Sequence, residues 1–185
     1  MKDTFKKLSK EYHEDIVGIR RHIHANPELS FVEFKTSEFV CKLLDEMGIP
    51  YEKGMVKTGI VGTIEGKNPG KRTVALRAEL DALPIFEKND ISYKSTNDGI
   101  MHACGHDVHM ASMLGAAKIL NSTKEDWEGT VKLVFQPGEE KLPGGAIQMI
   151  DAGLLEDIKA STMLALHVLP SMEVGRVGFR PGPYM

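Results

Sequence analysis

Apolar residues recur at steps of three and four over the first fifty positions, which is the pattern of amphipathic helices. One such stripe runs from Phe5 to Ile23, and we predict one helix that stops at Asn26-Pro27. A second stripe predicts a helix over residues 32–47, which the glycine and proline that follow bring to an end. Each helix therefore has one apolar face to bury.

From position 60 onward, short apolar and β-branched runs predict strands that alternate with helices. This alternation favours an α/β fold with a mixed, largely parallel sheet and helices on both faces. The polar stretch 85–100 is expected to be a loop over the sheet edge. The predicted elements are strands 60–65 and 73–78 joined by a turn through Asn68-Pro69-Gly70, helix 107–120, strand 131–135, helix 144–151, and strands 162–168 and 174–179.

The composition is that of an ordinary globular protein of one domain, with 185 residues, 42% apolar and 26% charged. A net charge of −3 provides no basic surface for nucleic acid or anionic lipid. No apolar run resembles a signal peptide or a membrane span, and two cysteines make no disulfide framework. We therefore expect a cytoplasmic protein without nucleic-acid or membrane partners.

Groups able to bind metal lie where predicted strands end. Asp81 follows one strand, Glu139 and Glu140 follow another, and His167 closes a third. In open α/β sheets, ligands bind at the carboxyl ends of the strands. These side chains are therefore candidates for one common site.

A loop before the third predicted helix reads M-H-A-C-G-H-D and adds a thiol and an imidazole. Cys104 and His106 are two residues apart, so on an extended segment both would point to the same side. Gly105 between them lets the loop bend, and Asp107 is predicted to cap the helix.

One thiolate, two imidazoles and a carboxylate suit Zn²⁺ and, with less preference, Mn²⁺, Co²⁺ or Ni²⁺. A bound divalent ion lowers the pKa of a water towards ~7 and polarises a carbonyl oxygen, which is hydrolase chemistry. The pair Glu139-Glu140 fits a division of labour in which one carboxylate binds metal and the other transfers the proton.

Other interpretations remain open at this point. Cys104 could be a small buried apolar residue, His106 a loop histidine, and Glu139-Glu140 a solvated loop. Cys104 could also be a nucleophile with His106 as its base, although this leaves the glutamates and His167 without a role. A metal-binding or protein-interaction domain without catalysis is a third alternative.

Several segments together resemble the signature blocks of bacterial N-acyl-L-amino-acid amidohydrolases. These are related to hippurate hydrolases and plant auxin-conjugate hydrolases, within the metallopeptidase superfamily of aminoacylase and glutamate carboxypeptidase. The blocks are residues 20–30, 74–85, 101–107, 135–140 and 143–146, Leu166-His167-Val168, and Arg180-Pro181-Gly182-Pro183.

The resemblance implies hydrolysis of the amide bond of small N-acyl amino acids by a zinc-exopeptidase-like catalytic domain with two divalent metal ions, Zn or Mn, or else Co or Ni. It implies Glu139 as the general base and Asp81 as the aspartate that orients a ligand. Glu79 departs from the aspartate usual in the family. The implied metal ligands are Cys104, His106, Glu140 and His167; His22, His24, His102 and His109 are expected to be structural or to support the ligands.

Family members are considerably longer than this chain. The resemblance therefore implies that residues 1–185 are the N-terminal part of the catalytic domain, without the lid and dimerisation domain and without its C-terminal part. Full-length relatives are expected to be homodimers. The fragment alone is expected to bind metal weakly and to turn over poorly.

Overall fold

The computed structural model describes residues 1–179 and 181–183, so Arg180 of the last signature block lies outside the described residues. A five-stranded sheet forms the centre, with strand order β1-β2-β4-β3-β5. The elements are α1 (Lys2–Glu11), α2 (His13–Ala25), α3 (Phe34–Glu46), β1 (Tyr51–Met55), β2 (Gly59–Glu65), β3 (Thr73–Glu79), α4 (His106–Ser122), β4 (Thr130–Gln136), α5 (Gly145–Asp151), α6 (Leu154–Ile158) and β5 (Thr162–Ala165).

The predicted mixed sheet is confirmed, with two antiparallel ladders (β1–β2, β2–β4) and two parallel ladders (β4–β3, β3–β5). β3 and β4 pair in register from Thr73 opposite Thr130 to Glu79 opposite Gln136. Both strands therefore end at the same level. The segments that follow them leave from one edge, and this edge carries the candidate site.

Helices cover both faces of the sheet, as predicted. α2, α3 and α4 pack on one face around Phe135 and Leu133, which are fully buried. α5 and α6 pack on the other face around Val134 and Ala75. Because neighbouring residues of β4 point to opposite faces, its apolar run is buried on both sides.

The turn predicted between the second and third strands joins them in sequence, but they are not neighbours in space. β4 lies between β2 and β3, and the connection contains a short 3₁₀ helix at Pro69–Lys71. A strand that is apolar on both faces occupies the centre of the sheet, where both faces are covered. The expected hairpin was therefore wrong.

The single predicted N-terminal helix is two helices that break at Tyr12, whose φ and ψ are −88° and 0°. The amides of Tyr12 and Ile16 still donate to the carbonyl oxygens of Leu8 and Tyr12, so the apolar stripe continues through the break. α2 ends at Ala25, before Asn26-Pro27 as predicted.

The structure also contradicts other local predictions. β5 ends at Ala165, so His167 lies beyond the strand, and residues 174–179 form no strand. Asp107 is not the N-cap of α4, because Gly105 occupies that position; the Asp107 Oδ1 accepts the Val108 N–H within the first turn, and its Oδ2 contacts α2. β1 and α6 were not predicted. Within the described ranges, no helix is both long and apolar enough to cross a membrane.

Candidate metal centre

A left-handed glycine turn carries Cys104 and His106. Gly105 has φ +97°, and His106 is already the first residue of α4. The two side chains therefore do not lie on one extended segment, but ligand atoms of Cys104, His106 and Glu140 still lie within 4.8 Å of one another. The Cys104 Sγ is also 3.3 Å from the His167 Nε2.

Hydrogen bonds orient both imidazoles with Nε2 towards this cluster. The His106 Nδ1 is 2.8 Å from the Asp81 carbonyl oxygen, and the His167 Nδ1 is 2.7 Å from the Val168 carbonyl oxygen. A carbonyl oxygen only accepts, so each Nδ1 carries the proton and donates it. In the neutral ring, Nε2 then has a free lone pair, which is what a metal ligand requires.

Asp81 is fully buried and connects His106 to the glutamate loop. Its Oδ2 accepts hydrogen bonds from the Ser30 hydroxyl (2.6 Å) and the Glu140 backbone N–H (2.9 Å), and its Oδ1 is 3.4 Å from the His106 Nδ1. Burial opposes the charge, but these donors outweigh it and lower the pKa of Asp81 to about 2. The carboxylate therefore stays ionised and holds the two segments together.

The two glutamates both face His106 but differ in exposure. The His106 Nε2 lies 3.8 Å from the Glu139 Oε2 and 3.8 Å from the Glu140 Oε1. The side chain of Glu139 is 41% exposed and that of Glu140 is 20% exposed. The Glu140 Oε1 is buried and finds no hydrogen-bond donor in the described part of the chain.

The cluster has the electrostatics of a cation site. Burial and the neighbouring carboxylates Glu140 and Glu139 raise the pKa of the Cys104 thiol to about 12. Burial lowers the pKa of His106, but Asp81 and Glu79 outweigh it and raise that pKa overall. The carboxylates contribute to both shifts, so the cluster carries excess negative charge, and a buried carboxylate oxygen without a donor adds to it. The residues present therefore fit a divalent cation.

The same observations weigh against Cys104 as a nucleophile. A reactive thiol needs a lowered pKa, and this one is raised. The imidazole nitrogen that the described contacts place within hydrogen-bond distance of the Cys104 sulfur belongs to His167 and not to His106, the base in that interpretation. Cys41 lies apart, buried in α3.

A buried glutamate that the sequence did not single out anchors the loop before Glu139. Glu33 is fully buried, and its Oε1 accepts the backbone N–H groups of Gly138 and Phe31, each at 2.8 Å. Its Oε2 accepts the Thr58 hydroxyl at 2.7 Å. Ser30 was likewise missed as a partner of an aspartate. Neither residue carries a sequence pattern that reveals such a distant partner.

The remaining histidines fall into distinct environments. His24 is buried between the carboxylates of Asp107 (2.7 Å) and Glu87 (3.0 Å), and the Asp107 hydrogen bond raises its pKa above the usual value. His102 is buried, and burial lowers its pKa to about 4. His22 stacks on a phenylalanine ring of α3. We assign none of these three to the cluster.

Fold and donor set together define an α/β protein with a candidate metal centre at the carboxyl edge of its sheet. The model of Peptidase family M20/M25/M40 matches residues 75–184. The chain therefore belongs to this family, and the resemblance seen in the sequence is confirmed.

Curated relatives and solved structures agree with this family assignment. The chain is 41% identical over 184 residues to an N-acyl-L-amino acid amidohydrolase of Geobacillus stearothermophilus, covering 100% of this chain and 49% of the relative. It is 45% identical over 188 residues to thermostable carboxypeptidase 2 of Saccharolobus solfataricus, covering 99% and 47%. The crystal structure of the Bacillus subtilis YxeP protein, a dinuclear metal-binding peptidase, superposes with TM-score 0.88 and 38% identity, covering 94% and 48%. The chain thus spans about half the length of these relatives.

Proposed function

We propose that this chain contributes to metal-dependent hydrolysis of the amide bond of N-acyl amino acids or related small conjugates. The observation that carries the proposal is the convergence of one thiol, two imidazole Nε2 atoms and a carboxylate at one edge of the sheet. Membership of the family and relatives named as amidohydrolases and carboxypeptidases support it. The proposed metals are two divalent ions, Zn²⁺ or Mn²⁺, with Co²⁺ and Ni²⁺ as further candidates.

Four residues would hold the metals: Cys104, His106, Glu140 and His167. A divalent cation polarises a carbonyl oxygen and lowers the pKa of a water molecule. The Asp81 carbonyl oxygen accepts the proton of the His106 Nδ1, and the Asp81 carboxylate accepts the Glu140 backbone N–H. Asp81 would therefore keep both ligands in orientation.

Glu139 is proposed as the general base. It lies beside Glu140 but is about twice as exposed, so its carboxylate can reach a water on the solvent side. Glu139 accepts a proton from water, the hydroxyl adds to the carbonyl carbon, and Glu139 returns the proton to nitrogen as the C–N bond breaks. The products are a carboxylate and a free amino acid.

We also propose that residues 1–185 form the N-terminal part of a catalytic domain. The chain spans about half of its relatives, and β5 lies at the end of the sheet with apolar side chains such as Leu164 more than half exposed. An edge strand leaves a row of backbone N–H and C=O groups without a strand partner, so the segment that leads from β5 to His167 has less support. The isolated chain is therefore expected to hydrolyse its substrates slowly.

Metal binding is tested by titrating the metal-free chain with Co²⁺ and Zn²⁺. Cys104→Ala is expected to weaken binding by more than about 100-fold, since even groups that only orient ligands cost about 10- to 100-fold. Cys41→Ala is the matched control, because it removes the other thiol from a buried position in α3. Equal affinities for the two variants would contradict the assigned site.

Catalysis is tested with small N-acetyl and N-benzoyl amino acids. Glu139→Gln is expected to keep the metal and to lose about 10²- to 10⁴-fold in rate, as expected for loss of a general base. Glu140→Gln is expected to lose metal affinity itself. A chain that binds metal but hydrolyses no member of the panel would favour the alternative of a metal-binding segment without catalysis.

A further inference from the structure

His167 lies two residues beyond the end of β5 and is exposed, so the strand ladder does not fix its position. Its Nε2 is nevertheless 3.3 Å from the Cys104 Sγ. A side chain on an irregular segment needs another anchor to keep such a contact. The described contacts provide two: the His109 ring packs edge-on against the His167 ring, with centroids 4.9 Å apart, and hydrogen bonds hold the neighbouring Val168.

Val168 is held at three points. Its backbone N–H donates to the His109 Nε2 at 3.0 Å, and its carbonyl oxygen accepts the His167 Nδ1 at 2.7 Å. Its side chain packs against Gly105, where an added Cβ would lie 2.3 Å from the Val168 Cγ2. The residue thus links α4, the glycine turn and the ring of His167.

The tautomer of His109 follows from these partners. A backbone N–H only donates, so the His109 Nε2 must be unprotonated and must accept. The proton is then on Nδ1, which lies 2.8 Å from the Glu79 Oε2 and donates to it. Glu79, His106 and His109 lie close enough together to suggest a second cation site. Both nitrogens of His109 are already engaged in hydrogen bonds, however, so His109 has no free lone pair for a cation.

Glu79 is the last residue of β3, 3% exposed, and also pairs with Arg77. Burial opposes its charge, but the hydrogen bond with His109 and the charge of Arg77 outweigh burial and lower the pKa of Glu79. Its fixed carboxylate selects the His109 tautomer that can accept from Val168. Glu79 therefore acts on the position of Val168 through His109.

We propose that Glu79 and His109 are positioning residues for the metal centre: they hold the backbone of Val168 so that His167 presents Nε2 beside Cys104. The inference rests on the proposed function, because it assigns a purpose to the position of His167. Neither residue touches the metal in this scheme.

Two substitutions of His109 separate its two hydrogen bonds. His109→Gln places an amide oxygen near the former Nε2 and keeps an acceptor for the Val168 N–H. His109→Asn places an amide N–H near the former Nδ1 and keeps only the donor to Glu79. His109→Gln loses the bond to a carboxylate and His109→Asn loses the bond from a neutral N–H, so a merely structural role predicts the larger loss of stability in His109→Gln. The positioning role predicts the larger loss at Val168 and in cation binding in His109→Asn.

The first measurement is amide hydrogen exchange of Val168 in the metal-free chain, with the β5 amides as internal reference. We expect His109→Asn to accelerate exchange at Val168 at least about tenfold, and His109→Gln to leave it within about threefold. The second measurement is Co²⁺ titration, where His109→Asn is expected to weaken binding about 10- to 100-fold relative to His109→Gln.

If the wild-type chain binds Co²⁺ but the two variants exchange alike at Val168, or bind Co²⁺ with equal affinity, the inference is overturned and the proposed function stands. If the wild-type chain binds Co²⁺ no better than Cys104→Ala, the proposed function fails and the role of His109 in cation binding fails with it. Selective loss in His109→Asn at both readouts supports the inference.

Discussion

Glu33 offers a sharp test of how a buried carboxylate supports the candidate site. It accepts the backbone N–H groups of Phe31 and Gly138 and the Thr58 hydroxyl, and it is fully buried. Glu33→Gln keeps the shape but removes the charge. The Gln oxygen can still accept both N–H groups, while its NH₂ faces a hydroxyl that can rotate to accept.

The loss of stability expected for Glu33→Gln follows from the number of hydrogen bonds that lose charge assistance. A hydrogen bond to a charged group contributes about 1.5–3 kcal/mol and a neutral one about 1 kcal/mol. Two N–H bonds that each lose charge assistance therefore cost about 2 kcal/mol together. The Gly138 amide is one of these two, so the loop that leads into Glu139 should loosen and cation affinity should fall.

Glu28→Gln is the matched control. The Glu28 Oε2 also accepts two hydrogen bonds, from the Thr36 backbone N–H (2.8 Å) and the Thr36 hydroxyl (2.9 Å), but its side chain is only half-buried. Water can replace part of these contacts, so we expect a loss below about 1 kcal/mol and unchanged cation affinity.

Urea unfolding gives the stability of both variants, and Co²⁺ titration gives the affinity. The Gly138 amide resonance in a ¹H–¹⁵N spectrum should shift in Glu33→Gln and stay in place in Glu28→Gln. If Glu33→Gln costs no more stability than Glu28→Gln, or leaves cation affinity at the wild-type level, the buried carboxylate does not organise the loop.

Three further outcomes can be checked by unfolding experiments. His24 has a raised pKa because of Asp107, so its protonation stabilises the fold below the unfolded pKa of about 6.5, and this contribution is lost as pH rises through the folded pKa. The stability difference between wild type and His24→Gln should therefore shrink from pH 6 to pH 9; a difference that grows over this range would contradict the pairing. Gly18→Ala, in open space within α2, should raise stability by up to about 1 kcal/mol, and urea midpoints that fall would count against this. Gly145→Ala would place Cβ 1.7 Å from the Pro137 carbonyl oxygen and should cost about 2 kcal/mol or more, so a neutral effect would refute the close approach.

Patterns of apolar residues predicted much of the fold because burial repeats along each element. The predicted bounds of α3 and β4 lie within one or two residues of the observed bounds. Strand neighbours were harder to predict, since the turn after β2 is compatible with a hairpin and only the burial of β4 on both faces excludes it. The break at Tyr12 is also invisible in the stripe, because the hydrogen bonds continue across it.

The residues of the candidate site also fall into those that the sequence could predict and those that it could not. Cys104, His106, His167 and one carboxylate of the pair Glu139-Glu140 could be proposed as ligands because their chemistry is specific and they follow predicted strands or lie in a distinctive loop. The choice of Glu140 came from the family resemblance. Their supporting partners could not, because a partner is defined by a contact between distant segments. Gly138 donates to a glutamate 105 residues earlier, and Val168 to a histidine 59 residues earlier.

Glutamate shows most clearly why residue type alone cannot assign a role in this chain. Glu33 is fully buried and meets backbone N–H groups, Glu79 is buried against Arg77 and His109, and Glu139 is 41% exposed. A carboxylate surrounded by donors is fixed in place and serves as an anchor, whereas one open to solvent can still exchange a proton. Most of these donors come from segments distant in sequence, so the fold decides which glutamate is held as an anchor and which one stays open to solvent. A substitution that removes a donor should therefore change the role of a glutamate without altering the glutamate itself, and His109→Gln is such a substitution, because it removes the Nδ1–H that faces the Glu79 carboxylate.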